Sequence, residues 1–253
     1  MRIMVISHAG RRADDPPRQP NWLPQWMSYA SPGTEIDLAN PEPYPTPDPN
    51  RNTGGSDRHL LWYVSVPAIV NKTVWAEQNG YDAVIQSNNY EHGVEAARLA
   101  VRIPVLGLCR TTMLHAANLA DRIGVTVPLD GYFVLARHLL QSYGLQGFVS
   151  GMRSLGFDDV PPQDQVAALR PAMFERTVEV MRSLVKDTGA ECIVPLGGAV
   201  IPAILEPKDL EREVGAPVLN PRAIGIRTAE MYAQLGLAQS PLTYTRARVA
   251  QGV

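Results

Sequence analysis

Two stretches of this chain can carry reactive groups at the ends of strands. Residues 80–98 read GYDAVIQSNNYEHGVEAAR and residues 189–203 read GAECIVPLGGAVIPA; each passes from an apolar run through a polar or glycine-rich elbow into a helical pattern. At the first elbow Asn88, Asn89 and Tyr90 offer amide and phenol hydrogen bonds suited to orienting an imide, amide or carboxylate. Glu91 and His92 follow with an acid and an imidazole. At the second elbow Gly197 and Gly198 can turn consecutive backbone N–H groups toward an anion, or can make a tight turn that only glycine allows. His8 closes the first apolar run, after Ser7, and an imidazole there can act as general acid or base near neutral pH, although a lone histidine is as often structural. Paired with Glu91 or His92 it would form a proton relay. The same three residues can be read as metal ligands, but their spacing is not diagnostic, and neither a metal nor a cofactor is expected.

Cys109 and Cys192 are the chain's two cysteines, and their spacing gives neither a zinc signature nor a disulfide framework. Cys109 closes PVLGLC just before a helical stretch, where a helix dipole can lower a thiol pKa and make a nucleophile; the competing reading is an ordinary buried cysteine. Cys192 lies near the start of its strand and reads as a packed, inert thiol.

The elements that must hold these groups follow a β-then-α order. RIMVIS (2–7), TEIDLA (34–39), DAVIQS (82–87) and PVLGL (104–108) are short apolar runs, and the last two lack alternation, as in parallel strands covered on both faces. A helix is expected from Gly93, and another through TTMLHAANLADRIG with a stop at Gly124. From Val125 a second series begins: VTVPL, the helix YFVLARHLLQSYG, GFVSGM, the helix MFERTVEVMRSLVKDTG capped by Gly189, and CIVPL. After APVL, Asn220 caps a final helix with Pro221 at its first position and Ile226, Ala229 and Ala233 on one face. This predicts an α/β protein of two wound, Rossmann-like parallel-sheet lobes, residues 1–120 with 221–253 and residues 121–220. Long connections at 10–26 and 40–59, the second with prolines at 41, 43, 45, 47 and 49, read as lids over the site or as interfaces, and Trp22 and Trp26 favour such a role because exposed indoles are costly.

With 23 basic and 25 acidic residues and no run of either sign, neither nucleic acid nor an anionic membrane is the expected partner. A small molecule is, with a homo-oligomer open. No apolar run has membrane-spanning length and the start lacks a secretory pattern, so the expected compartment is the cytoplasm.

In order along the chain, GYDAVI, PVLGL, YGLQGFVSGMRSLG, GAECIV, GAPVLNP and AEMYAQLGLAQSPLTY resemble the aspartate/glutamate/hydantoin racemase superfamily, and the closing LGLAQSPLTY is similar to its hydantoin racemase branch. The resemblance implies two pseudo-symmetric lobes, substrate between them, no metal or cofactor, and in many members one catalytic cysteine per lobe, one removing the α-proton and the other returning it on the opposite face. Counted without gaps, the first cysteine's place holds Asn88 and the second's holds Gly197, and neither exchanges a proton near neutral pH. The amino-terminal motif, similar to INPN in relatives, reads ISHAG here, and Glu91 stands where hydantoin-type relatives carry an Asp. The resulting expectation is an enzyme acting on a small carboxylate or hydantoin-like compound by acid/base chemistry, as a lyase, decarboxylase or hydrolase rather than a two-thiol racemase. The alternatives are an isomerase using Cys109 or His8 in a rearranged site, and a ligand-binding protein without turnover.

Overall fold

The computed structural model describes residues 1–7, 22–44, 57–157, 163–198 and 200–245. His8, most of the 10–26 segment and residues 45–56 lie outside these. Two parallel sheets form. The first, ordered β2-β1-β3-β4, contains β1 (Arg2–Ile6), β2 (Glu35–Ala39), β3 (Ala83–Gln86) and β4 (Val105–Gly107). The second, ordered β6-β5-β7, contains β5 (Ile123–Val127), β6 (Val149–Ser154) and β7 (Cys192–Pro195). Between the strands run α1 (Leu23–Ser28), α2 (Asp57–Val64), α3 (Val66–Gln78), α4 (Val94–Ala100), α5 (Leu108–Ala117), α6 (Phe133–Ser142), α7 (Gln163–Thr188), α8 (Pro207–Val214) and α9 (Pro221–Gln234).

The lack of alternation in the central strands has the expected cause. Met4 and Ile6 of β1 pack with Val84, Ile69, Val94 and Ala97 on one face, while Ile3 and Val5 pack with Ile85, Trp26, Ile226 and Ala229 on the other. Helix α9 therefore lies on the first sheet. Its start is fixed as the sequence suggested: the Asn220 side chain accepts from the Ala223 N–H at 3.1 Å, with Pro221 at the first position. Helix α5 serves both sheets, since Leu108 is buried with the first while Cys109, Met113 and Ala116 belong to the core of the second.

Several expected details are corrected. The helix expected to reach Gly124 ends at Ala117, and Gly124 lies inside β5. A Cβ there would stand 2.9 Å from both Ala190 Cβ and Ile193 Cδ1, so this glycine permits close packing instead of ending a helix. Helix α7 begins well before the expected Met173, running through Pro171. Trp26 is a core residue of the first sheet and Trp22 packs against that core, so neither is an exposed indole awaiting a partner. Part of the 40–59 connection is helical, because α2 starts at Asp57. Among the described residues no helix is long and apolar enough to cross a membrane.

Gly124→Ala should lower stability by about 1–3 kcal/mol, since both clashing atoms are buried. Gly147→Ala, where nothing lies within 4 Å of the new Cβ, should stay within about 0.5 kcal/mol of the native protein. Urea denaturation of the two variants checks the contrast.

Candidate active site

Strands β1 and β3 end side by side, with Ile6 opposite Gln86 and the Ser87 N–H donating to the Ile6 carbonyl at 2.9 Å. Beyond Gln86 the chain winds into the first elbow. The Gln86 side chain accepts from the Asn88 N–H at 2.8 Å, Asn88 Oδ1 accepts from the Tyr90 N–H at 2.7 Å, and the Glu91 N–H donates to the Asn88 carbonyl at 3.0 Å. This winding forces Glu91 to φ +56°, left-handed backbone that a non-glycine residue rarely adopts and that recurs at functional sites.

The second elbow leaves β7 at Leu196. The Gly197 carbonyl accepts from the Val200 and Ile201 N–H groups at 3.1 and 3.3 Å, so the Gly198 N–H, trans across the same peptide, points away from that turn. Among the described residues the N–H groups of Gly197 and Gly198 have no hydrogen-bond partner, and both residues are half-buried. Gly197 has a steric reason as well: its Cβ would meet Pro128 Cγ at 2.8 Å, so any side chain there, a thiol included, requires the proline to move.

The elbows touch. Asn89 Nδ2 donates to the Pro195 carbonyl at 2.8 Å and the Tyr90 hydroxyl donates to the Leu196 carbonyl at 3.0 Å. Tyr90 is further fixed by stacking on Tyr132, with centroids 4.8 Å apart, and by Trp62 Nε1 donating to its carbonyl at 2.8 Å. Asn89 Oδ1 lies 3.3 Å from where a Gly198 Cβ would be and, among the described residues, is buried without a partner, as is Gln86 Nε2. Unsatisfied buried polar atoms are rare and call for an explanation. Both lie in the first elbow or the strand end beneath it, with Asn88, Gly197, Gly198 and Ser7 half-buried around them.

The ionisable groups are disposed differently. Glu91 is 2% exposed; its carboxylate accepts from the Arg110 N–H at 2.6 Å and from the Tyr143 hydroxyl, and it fills the space a Gly107 Cβ would need. Burial pushes its pKa above the ordinary value despite those two donors. It thus caps the start of α5 and ties the first elbow to the end of α6. His92 is buried, with Nδ1 3.2 Å from Ser65 Oγ at the head of α3.

Cys109 and Cys192 are both 0% exposed, within the core of the second sheet. The expectation that a helix dipole would lower Cys109 is corrected: burial, seconded by the Glu91 charge, holds its thiol well above the ordinary value. Burial pushes Cys192 up to about 11. Among the described residues no group of three His, Cys, Asp or Glu could hold a metal ion, and the His8, His92 and Glu91 set includes a residue outside them.

Sequence reasoning passed over Arg222, whose Nη2 donates to the Gly198 carbonyl at 2.9 Å. A signal was present, because the stripe Ile226, Ala229, Ala233 continued back one turn lands on Arg222 and marks it as facing inward.

Two parallel-sheet lobes joined through their strand-end elbows define a racemase-type fold. The chain belongs to the Asp/Glu/Hydantoin racemase family, whose sequence profile matches residues 57–229, more than half of its length. It is 28% identical to the hydantoin racemase of Rhizobium meliloti over 226 residues, 87% of this chain and 86% of that protein. It is also 28% identical to the hydantoin racemase of Pseudomonas sp. (strain NS671) over 189 residues, 71% and 70% of the two chains. In fold it is similar to the allantoin racemase from Pseudomonas fluorescens, with a TM-score of 0.79 at 24% identity over 100% of both chains.

Glu91 carries a pH prediction. Its folded pKa lies above the unfolded value near 4.5, so its contribution to stability is full below that pH and is lost as pH rises through the folded pKa. Glu91→Gln, neutral at every pH, should be destabilised by about 1–3 kcal/mol in acid, where it lacks one acceptor, and this deficit should shrink as pH rises through the folded pKa of Glu91. Urea melts of both proteins across that range test the slope.

Proposed function

We propose that this protein catalyses cofactor-independent carbon-acid chemistry on a small hydantoin-like ring or carboxylate held where the two elbows meet. The observation that carries the reading is the pair of N–H donors at Gly197 and Gly198, without a partner among the described residues, on an elbow docked against Asn89. Removing a proton from the carbon beside a carbonyl puts negative charge on that oxygen, and fixed N–H dipoles stabilise such charge without reorganising. Asn88 and Asn89 orient the ring's amide groups. The 28% identical hydantoin racemases favour exchange of a ring C–H proton as the reaction.

The thiols do not carry this proton, because both are buried and hard to ionise. Glu91 acts as a positioning residue, and His92 supports the elbow through Ser65. That leaves the imidazole of His8, one residue beyond the strand-end Ser7, as the base. The protonated imidazole returns the proton to the planar carbanion, either to the same face, giving exchange without inversion, or to the other after the ring turns over. A second reading, lyase or hydrolase, is favoured by the inaccessible thiols alone: protonation from the opposite face is the step for which a second ionisable group is required.

In deuterated water a 5-substituted hydantoin should gain deuterium at C5, tracked by proton NMR, with racemisation followed by polarimetry. A product of new mass would replace this reading with the lyase or hydrolase one, and binding with neither change would make the protein a ligand binder. His8→Asn should lower turnover about 100- to 10,000-fold, the usual range for a lost general base, while Cys109→Ser and Cys192→Ser leave it unchanged.

A further inference from the structure

Arg222, the second residue of α9, is 3% exposed, yet among the described residues no carboxylate forms an ion pair with it. Its partners are neutral. Nη1 donates to Gln25 Oε1 at 2.5 Å, Nη2 donates to the Gly198 carbonyl at 2.9 Å, and Nε is buried without a partner. The guanidinium carbon lies 4.5 Å from the centroid of the Trp22 ring and 5.2 Å from that of Trp26. Gln25 Nε2 in turn donates to the Pro202 carbonyl at 2.7 Å, and Tyr29 interacts with Gln25 and Asn220. Glu206 acts on Tyr29 but makes no ion pair with Arg222.

Burying a charge is costly unless it is paired, and two indole faces offset only part of that cost. Desolvation pushes the Arg222 pKa down to about 10, which still leaves it protonated at neutral pH. A protein that keeps a cation in such a place gains from it only when something brings the opposite charge. The position is specific: Arg222 is bonded to the carbonyl of Gly198, whose own N–H has no partner among the described residues, and Gly197 and Gly198 are half-buried. With one nitrogen bound to Gln25 and another to Gly198, the remaining Nε edge suits a small planar monoanion, as guanidinium and carboxylate match in geometry.

We propose that Arg222 selects substrate by charge, serving as the counter-ion for a carboxylate carried by the molecule whose ring or acyl group sits on the Gly197–Gly198 elbow. The inference rests on the reading of the joined elbows as the active site. It narrows the substrate from any hydantoin-like ring to one with an anionic side group. Arg222 is thus a specificity residue, apart from the groups that move protons.

The arginine Nε–H signal of the native protein, assigned by its disappearance in Arg222→Lys, gives a direct readout. Three probes are titrated while it is followed by proton–nitrogen correlation NMR: hydantoin-5-acetate, its neutral methyl ester, and acetate alone. The acid should shift the Nε–H signal and bind about thirtyfold or more tightly than the ester, the scale expected for a buried charge pair, and Arg222→Met should abolish that preference. If acid and ester bind alike and the Nε–H signal stays still, charge selection is overturned while the elbow site stands. If acetate shifts the signal but no hydantoin binds, the anion subsite stands and the ring reading falls. If no probe binds, both fail. Should Arg222→Met not fold, the native titration and Arg222→Lys decide the question.

Discussion

The carbonyls of Pro195, the last residue of β7, and of Leu196 just beyond it are taken by Asn89 and Tyr90 from the other sheet's elbow. Buried backbone carbonyls must find donors, and here the donors come from across the molecule. This coupling fixes the separation of the two strand ends and sets the elbows in contact. Helix α5 reinforces it from below by placing consecutive residues, Leu108 and Cys109, in the cores of different sheets. Glu91 adds a third tie, linking the first elbow to the Arg110 N–H in the first turn of α5 and to Tyr143 at the end of α6.

The electrostatic character of the site follows from what these ties bury. A thiol acts as a base only where its anion is solvated or faced by positive charge, and Cys109 has neither, with the Glu91 carboxylate nearby. Negative charge is better accommodated at the second elbow, where free N–H groups and the Arg222 guanidinium gather without any carboxylate paired to that arginine among the described residues. The acid in the first elbow and the cation beside the second therefore do different work. One sits in a left-handed turn and ties the first elbow to α5 and Tyr143, and the other is bonded to the Gly198 carbonyl.

Two strand-end glycines also show how packing limits chemistry. Gly197 stands where Pro128 presses against the backbone, and Gly107 where the Glu91 carboxylate lies against it. In each case the missing Cβ makes room for a neighbour that belongs to a different segment. A larger residue at either position would alter the site through that neighbour.

Much of the architecture could be read from local pattern. Buried parallel strands show as short continuous apolar runs, the Asn220–Pro221 pair marks a helix start, and Gly189 an end, because these signals depend on a few adjacent residues. The end of α5 was misread because Gly124 looks like a cap, while its actual reason, contact with Ala190 and Ile193, spans many residues of sequence. Trp22 and Trp26 were misread in the same way, since the α9 and β1 side chains that cover Trp26 and the arginine under Trp22 are remote along the chain. Residue types alone marked Asn88, Asn89, Tyr90, Gly197 and Gly198 as elbow residues, and periodicity alone gave two wound sheets. Which acid is sequestered, which thiol is unionised, and which cation lacks a partner depend on desolvation and on distances between lobes, and those quantities come into being only when the chain has folded.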